Sequence, residues 1–325
     1  MLERLCSAFG VSGDEAEVRS IIQETAKEFN PITDIFGNLL FETKGKGEKI
    51  LISAHMDEVG FIISKIESDG YLRFKKVGGI DTGVILGKRV FVGKNKIPGV
   101  IGMRAVHLQK NPDDEVSNDN LYIDIGAKSR EEAGKLVGIG SYAAFDPQYI
   151  EFGDRCVMAK ALDNRAGCAI ALEILNRHKD KNLCFAFTVQ EEVGCRGAKA
   201  AVQRFKPDAA IVLETTICND TYPNEPHHTP TFLGKGAVLP FMDSSAVHDR
   251  GLISSLIAVA DENNIHWQYK RTNMGGTDAG SIMRAGIPTA VVAIPCRNIH
   301  SPSTVISLND YDSALELADK WIESR

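Results

Sequence analysis

Asn182-Leu183-Cys184-Phe185-Ala186-Phe187-Thr188-Val189-Gln190-Glu191-Glu192-Val193-Gly194 runs as an apolar, β-rich segment that stops at two adjacent carboxylates. An apolar run of that kind is the pattern of a strand buried on both faces, as in parallel sheets. The glycine and the Ala-rich run Cys195–Val202 then predict a turn into a helix. In open α/β sheets ligands bind beyond the carboxyl ends of the strands, which is where Glu191 and Glu192 fall. Neighbouring carboxylates repel when buried unpaired, so solvent, a proton or a cation must separate their charges. Taken alone, the pair is better explained as an exposed strand-to-helix turn; the rest of the chain argues otherwise.

Other segments have the same form. Lys49–Ala54 is a buried strand followed by His55-Met56-Asp57-Glu58, and Ala209–Leu213 is an apolar strand ending at Glu214. Thr289–Ile294 is the last strand, followed by Asn298-Ile299-His300-Ser301-Pro302. Asp163 and Asn164 precede a helix from about Cys168 to His178, and either could be its N-cap. A lone His at a strand end is usually a hydrogen-bonded structural residue. His55-x-Asp57 nevertheless suits a ligating His with a carboxylate that orients its surroundings. Four strands thus end near His55, Glu191/Glu192, Glu214 and His300, while Asp163 opens a helix. Two His with several Asp and Glu form an N/O donor set suited to Zn²⁺, Co²⁺ or Mn²⁺. An Asp bridging two ions, with one His and one further carboxylate for each, leaves room for water.

Around this core, Ser12 and Glu15 stand at capping-box spacing before a helix reaching about Phe29. Ile32–Glu42 reads as a strand and Lys44-Gly45-Lys46-Gly47 as an exposed hairpin turn. From about residue 68 to 154, short β-type pieces alternate with Gly-rich turns, with one helical signal at Ser129–Leu136. That is the pattern of a small β-barrel or sandwich. It reads as an insertion, residues 68–154, in a catalytic domain made of residues 1–67 and 155–325, and no chemistry is assigned to it. Asn111–Asn120 is expected to be a mobile surface loop, and Cys218–Pro230 a loop over the site. Ser245–Asn263 reads as a helix, His266–Arg271 as a strand, and Gly275–Gly280 as a Gly-rich turn carrying Thr277 and Asp278. Asn309–Ile322 closes the chain as an amphipathic helix.

Composition sets the outer bounds. The 325 residues are 43% hydrophobic and 25% charged, the balance of an ordinary soluble globular protein, and the length suggests two domains. A net charge of −6 with no basic cluster argues against nucleic acid. Met1–Leu5 lacks the basic and apolar regions of a signal peptide, and no apolar run approaches transmembrane length, so no membrane partner is expected. Seven Cys without a C-x-x-C pair read as reduced, mostly buried thiols of a cytoplasmic protein.

His55-Met56-Asp57-Glu58, Leu162-Asp163-Asn164-Arg165, Gln190-Glu191-Glu192, Gly276-Thr277-Asp278-Ala279 and His300-Ser301-Pro302 resemble the signature series of the tetrahedral (TET), glutamyl-aminopeptidase-like family. Its members are dinuclear-metal aminopeptidases, some of them named endoglucanases. The likeness covers nearly the whole chain, including the insert, where Leu121–Ala127 fits. It implies an α/β fold of the zinc-exopeptidase kind: a mixed, largely parallel sheet covered by helices, with the inserted β domain mediating dimerisation. It also implies two divalent metal ions per subunit, zinc or cobalt with manganese as the alternative, and no organic cofactor. By resemblance Asp163 is the bridging carboxylate, Glu192 and His300 are ligands of one ion, and His55 and Glu214 of the other. Glu191 is similar to the family's general base and Asp57 to the partner behind His55. The implied reaction removes N-terminal residues from short peptides through a metal-bridged water, inside a hollow tetrahedral dodecamer built from dimers.

A related dinuclear carboxypeptidase or deacylase is one alternative, and an inactive metal-stabilised peptide-binding scaffold is another. A glycosidase is not, because one cluster holding both Glu191 and Glu192 leaves no separated acid and nucleophile. The chain departs from the family at Glu214, where Asp is frequent, and at Thr304, where a Glu usually follows His-Ser-Pro by two positions.

Overall fold

A computed structural model describes residues 1–103, 120–221 and 225–325. Helices α1 (Leu2–Ser7) and α2 (Ala16–Thr25) lead into strands β1 (Ile32–Thr33), β2 (Leu39–Glu42) and β3 (Lys46–His55). Next come β4 (Gly60–Ile66), β5 (Leu72–Val77), β6 (Arg89–Val92), β7 (Ile97–Met103), β8 (Leu121–Asp124), helix α3 (Arg130–Leu136) and β9 (Tyr142–Phe145). The chain continues through β10 (Tyr149–Phe152), β11 (Cys156–Ala159), α4 (Leu162–Arg177), β12 (Lys181–Thr188), α5 (Ala198–Phe205) and β13 (Ala209–Cys218). It ends with β14 (Ala237–Leu239), α6 (Arg250–Glu262), β15 (Trp267–Tyr269), α7 (Asp278–Arg284), β16 (Thr289–Arg297), β17 (Thr304–Ser307) and α8 (Leu308–Glu323).

An 11-stranded mixed sheet runs β1-β2-β12-β3-β13-β16-β17-β11-β10, with β14 paired to β16 and β15 to β14. Its centre, β12-β3-β13-β16, is parallel. Alternate residues of these strands feed two cores. Ile50, Ile52, Phe185, Phe187, Ile211 and Leu213 share one with α4, α6 and α8; Leu51, Cys184, Ala186, Ala210 and Val212 share the other with α5 and α7. Burial on both faces is the reason the strands show no polar alternation. Among the described residues no helix is long and apolar enough to cross a membrane.

Lys44–Gly47 is not a hairpin turn. β2 and β3 each pair with β12, which lies between them, antiparallel to β2 and parallel to β3. Local sequence cannot show that a later strand enters the gap. Ile32–Glu42 is likewise two strands, split where Asp34 Oδ1 accepts the backbone N–H groups of Phe36, Gly37 and Asn38. The expected helix from Ser245 starts only at Arg250, because Asp243 accepts from the amides of Ser245 and Ala246 in a turn and Asp249 caps through Leu252 N.

The strands between the two parts of the sheet close into a barrel, β4-β5-β8-β7-β6-β9. Its core sets Phe61 edge-on to Phe74 and Phe145, with ring centroids 5.0 and 5.3 Å apart. The barrel strands run from Gly60 to Phe145, so they begin and end earlier than residues 68–154. Gly60–Ile66 continues the apolar texture of β3 and conceals the boundary, while β10 pairs with β11 in the large sheet. Asn111–Asn120 lies, but for Asn120, outside the described residues, as do residues 222–224 of the loop expected over the site.

Candidate metal centre

β3 delivers His55 as its last residue, in register with Thr188 at the end of β12. Beyond Thr188 the chain turns, with Gln190 and Cys195 in the left-handed region at φ 58° and 52°. Glu191 and Glu192 therefore stand in a turn past the strand. Glu214 is not at a strand end either: β13 runs on to Cys218 beside β16, because Thr215-Thr216-Ile217 are β-branched and extend the pairing. His300 sits in the loop after β16 at φ 60°.

These residues converge. His55 Nε2 is 3.3 Å from Asp163 Oδ1 and 3.3 Å from Glu214 Oε1. His300 Nε2 is 3.3 Å from Asp163 Oδ2 and 3.2 Å from Glu192 Oε2. Asp163 thus turns one oxygen to each histidine. Donors about 2.0–2.2 Å from a tetrahedral cation stand about 3.3–3.6 Å apart, so each half has the spacing of a cation's ligands. Ligand atoms of His55, Asp163 and Glu192 all lie within 4.8 Å of one another. Glu191 leans in between, with Oε2 4.0 Å from His55 Nε2 and Oε1 accepting from Cys195 Sγ at 3.2 Å. Together they line a cavity of about 470 Å³.

Asp57 is fully buried behind them. Its Oδ1 accepts from Glu191 N at 3.0 Å, and its Oδ2 from Glu192 N at 3.2 Å and Ser12 Oγ at 2.6 Å. His55 Nδ1 lies 3.1 Å from the Asp57 carbonyl and 3.4 Å from Oδ1. One carboxylate therefore stands behind His55 and also fixes the turn that carries both glutamates. Ser12 consequently forms no capping box: its hydroxyl goes to Asp57, and Glu15 Oε1 accepts from Gly13 N. At the head of α4 the two candidates divide the work. Asn164 Oδ1 accepts from Gly167 N at 3.0 Å, as an N-cap does, which leaves Asp163 to the centre.

Several contributors act through contacts that local sequence does not reveal. His300 Nδ1 bonds Gly79 O at 2.9 Å, and Gly79 follows β5 of the barrel. A ligating His commonly donates its second N–H to a carbonyl, so residues 68–154 do take part in the site, through a backbone atom that no side-chain pattern reveals. Asp278 Oδ2 accepts from Thr188 Oγ1, while its Oδ1 is buried with no partner among the described residues. Glu58, Lys160 and Arg165 form a buried ion cluster. Arg165 also donates to the carbonyls of Leu5, Ala8 and Met56, tying α1 and the end of β3 to α4. Thr304, in place of a carboxylate, donates its hydroxyl to Ala159 O.

The electrostatics are those of a site short of positive charge. Burial, then neighbouring carboxylates, holds Glu191 and Glu192 well above the usual carboxylate range, against the pull of His55. Burial raises Glu214 to about 7 and Asp278 to about 6. Burial would depress His55, yet Glu214 and Asp163 beside it push the imidazole well up. Asp163 goes the other way: burial opposes its charge, but the two histidines keep it ionised. A cation in either half would do the work that protons do here.

The chain and its fold have close counterparts. A protein of Acetivibrio thermocellus, provisionally named an aminopeptidase, is 41% identical over 98% of this chain and 96% of its own length. A glutamyl aminopeptidase of Lactococcus lactis is 31% identical over 92% of this chain and 88% of its own, and a lysyl aminopeptidase of Pyrococcus furiosus is 29% identical over 99% and 96%. Among solved structures, a TET aminopeptidase from a marine-sediment Thaumarchaeota archaeon superposes with a TM-score of 0.95 at 36% identity, over 99% of this chain and 94% of that one. A Pyrococcus horikoshii TET1 peptidase, described as assembling into a tetrahedron or a large octahedral shell, gives 0.89 at 34% identity, over 98% and 97%. Residues 37–317 match the family model described as M42 glutamyl aminopeptidase, and the chain belongs to that family of peptidases.

Proposed function

We propose that this chain removes N-terminal residues from short peptides, with two divalent cations held by His55, Asp163 and Glu214 on one side and His300, Asp163 and Glu192 on the other. The observation that carries this reading is the division of Asp163, one oxygen to each histidine–carboxylate pair. The N/O donor set suits zinc or cobalt, with manganese as the alternative. When bound, such a pair of ions supplies Lewis acidity that lowers the pKa of a shared water toward neutrality and offsets oxyanion charge.

The chain's own residues do the remainder. Glu191 takes the proton of the attacking water on Oε2, the oxygen turned toward the centre, and returns it to the leaving amine. Cys195 occupies the other oxygen and keeps that assignment fixed. Asp57 is a positioning residue, holding His55 from behind and the Glu191–Glu192 turn by its amides.

The barrel is read as the dimerisation domain, with dimers joining into a tetrahedral dodecamer whose chamber admits short peptides. Exposed Val84, Leu86, Val100, Leu136 and Ile139 on the barrel support self-association, and so does the likeness to TET assemblies. Seven unpaired cysteines, five of them buried, support a cytoplasmic setting. No nucleic acid or membrane partner belongs to this reading.

The test is a panel of aminoacyl chromogenic substrates after exhaustive chelation, with Zn²⁺, Co²⁺ or Mn²⁺ restored in turn. Turnover should vanish with the metal and return with one of them. Unchanged turnover, with metal loss confirmed by elemental analysis, overturns the dinuclear reading. A monomer by light scattering at working concentration overturns the assembly.

A further inference from the structure

Helix α7 opens at Thr277-Asp278-Ala279 and bonds to both ends of the turn that carries Glu191 and Glu192. At the entry, Thr188, the last residue of β12, donates its hydroxyl to Asp278 Oδ2. At the exit, Ser281 Oγ donates to the carbonyl of Cys195 at 2.9 Å. Between these points the turn closes on itself, with Glu191 O accepting from Gly194 N and Cys195 N, both at 2.9 Å. Cys195 is also the residue whose thiol bonds the second oxygen of Glu191. Asp57 grips the same turn only by the amides of Glu191 and Glu192, so its two ends are left to α7.

The helix is firmly seated. Thr277 donates its hydroxyl to Asp243 Oδ2 at 3.0 Å, and Ala279 and Ile282 belong to the core shared with α5. A Cβ added at Gly280 would stand 2.6 Å from Ser245 Cβ, so α7 lies hard against that residue. Asp278 is 1% exposed, and its Oδ1 has no partner among the described residues. A buried, half-satisfied carboxylate is costly to the fold, and costs of that kind gather at functional positions. We propose that Asp278 and Ser281 are positioning residues for the general base: they hold the Glu191 turn at its two ends and keep Glu191 Oε2 aimed at the centre. The proposal rests on the reading of Glu191 as that base. Misplacing a catalytic group by about 1 Å costs on the order of 10²-fold in rate, so the contacts matter to turnover although neither residue is assigned to metal or substrate.

Variants of the full chain make the test. Asp278→Ala should lower kcat about 10–100-fold with KM and metal content held, and Ser281→Ala about three- to tenfold. Asp278→Asn keeps an oxygen for the Thr188 hydroxyl and should restore most of the lost kcat. In a Glu191→Gln background neither alanine should cost more than about twofold, because a brace for a missing base has nothing left to aim. In the metal-free protein the amides of Gly194 and Cys195 should exchange hydrogen faster in both alanine variants than in the wild type. Equal exchange, a full further loss of turnover in the Glu191→Gln background, or loss of metal or a raised KM in place of lowered kcat overturns the proposal. If Asp278→Ala does not fold, Ser281→Ala, which removes one hydrogen bond, decides by the same readings. Wild-type kcat in the alanine variants with Glu191→Gln inactive removes the proposal alone. Near wild-type turnover in Glu191→Gln removes the base reading and the proposal together.

Discussion

The two halves of the centre are built on different foundations. His55 is the last residue of a central strand and is 2% exposed, and Glu214 lies within β13 at 4%. His300 stands on a loop past β16 with a side chain 31% exposed, and Glu192 lies on a turn held by Asp57. His55 is paired to Thr188 of β12 and Glu214 to Ala293 of β16, although the ladder between β3 and β13 ends two residues earlier at Ser53 and Val212; a ligand on a paired strand is held more firmly than a loop ligand that depends on one or two contacts. The strand-borne half should therefore hold its cation more tightly, with Asp163 coupling the two. The loop-borne half is also the one that reaches the barrel, through Gly79 O. The difference teaches that one half of the site is a product of the large sheet and its helix α4 alone, and the other of that unit and the barrel together.

Removing the coupling should have the largest effect. Asp163→Ala is expected to empty both halves and to lower kcat/KM by at least about 10⁴-fold, since each ion loses a ligand and their common anchor. It should also abolish the rise in melting temperature that saturating metal gives the wild type. Elemental analysis of the purified variant checks the first point: metal content like that of the wild type would remove Asp163 from the bridge.

Glu191→Gln should come next. With no coordination assigned to Glu191, the variant should keep its metal and lose turnover by about 10²–10⁴-fold, the usual contribution of a general base. A variant that emptied the site, or that kept near wild-type turnover, would mean that the two glutamates are assigned the wrong way round.

The comparison itself is sharpened by His55→Ala and His300→Ala. The first is expected to cost more folding stability, because it leaves buried Asp57 and Glu214 facing a cavity without their partner. The second should leave the strand-borne ion in place and weaken only the other. Titration with a chelator followed by elemental analysis should give two steps in the wild type and one tight step in His300→Ala. A single step for the wild type, or equal losses in both variants, would break the asymmetry.

Much of this architecture was legible for one physical reason. In a parallel sheet buried on both faces, polar residues are excluded from the strands and gather beyond their carboxyl ends. His55, Glu191 and Glu192, and His300 could therefore be found from where apolar runs stop. Glu214 was found by the same sign, although its strand continues to Cys218. What stayed hidden depends on contacts between distant segments. Nothing local in Lys44–Gly47 shows that β12 inserts between β2 and β3. Ser12 has the spacing of a cap, and only the fold brings Asp57 to it. The barrel boundary was misplaced because β4 has the same apolar texture as β3. Gly79 acts through its carbonyl, an atom common to every residue.

That last contact gives the smallest predicted effect and the most direct test of how the halves differ. A Cβ added at Gly79 would lie 3.4 Å from His300 Nδ1 and 3.7 Å from Cε1, a close but ordinary contact. Gly79→Ala should therefore change little. Gly79→Val adds two methyl groups at the same point and should displace the imidazole from the carbonyl that orients it. Loss of such an orienting contact typically weakens metal binding about 10–100-fold; with the Gly79 carbonyl still available after a small shift, about tenfold or less is expected. The weakening should fall on the loop-borne ion alone, visible as an earlier first step in the chelator titration with the second step unmoved. If Gly79→Val shifted both steps together, the barrel would be bracing the whole centre and the division between a sheet-built half and a shared half would not hold.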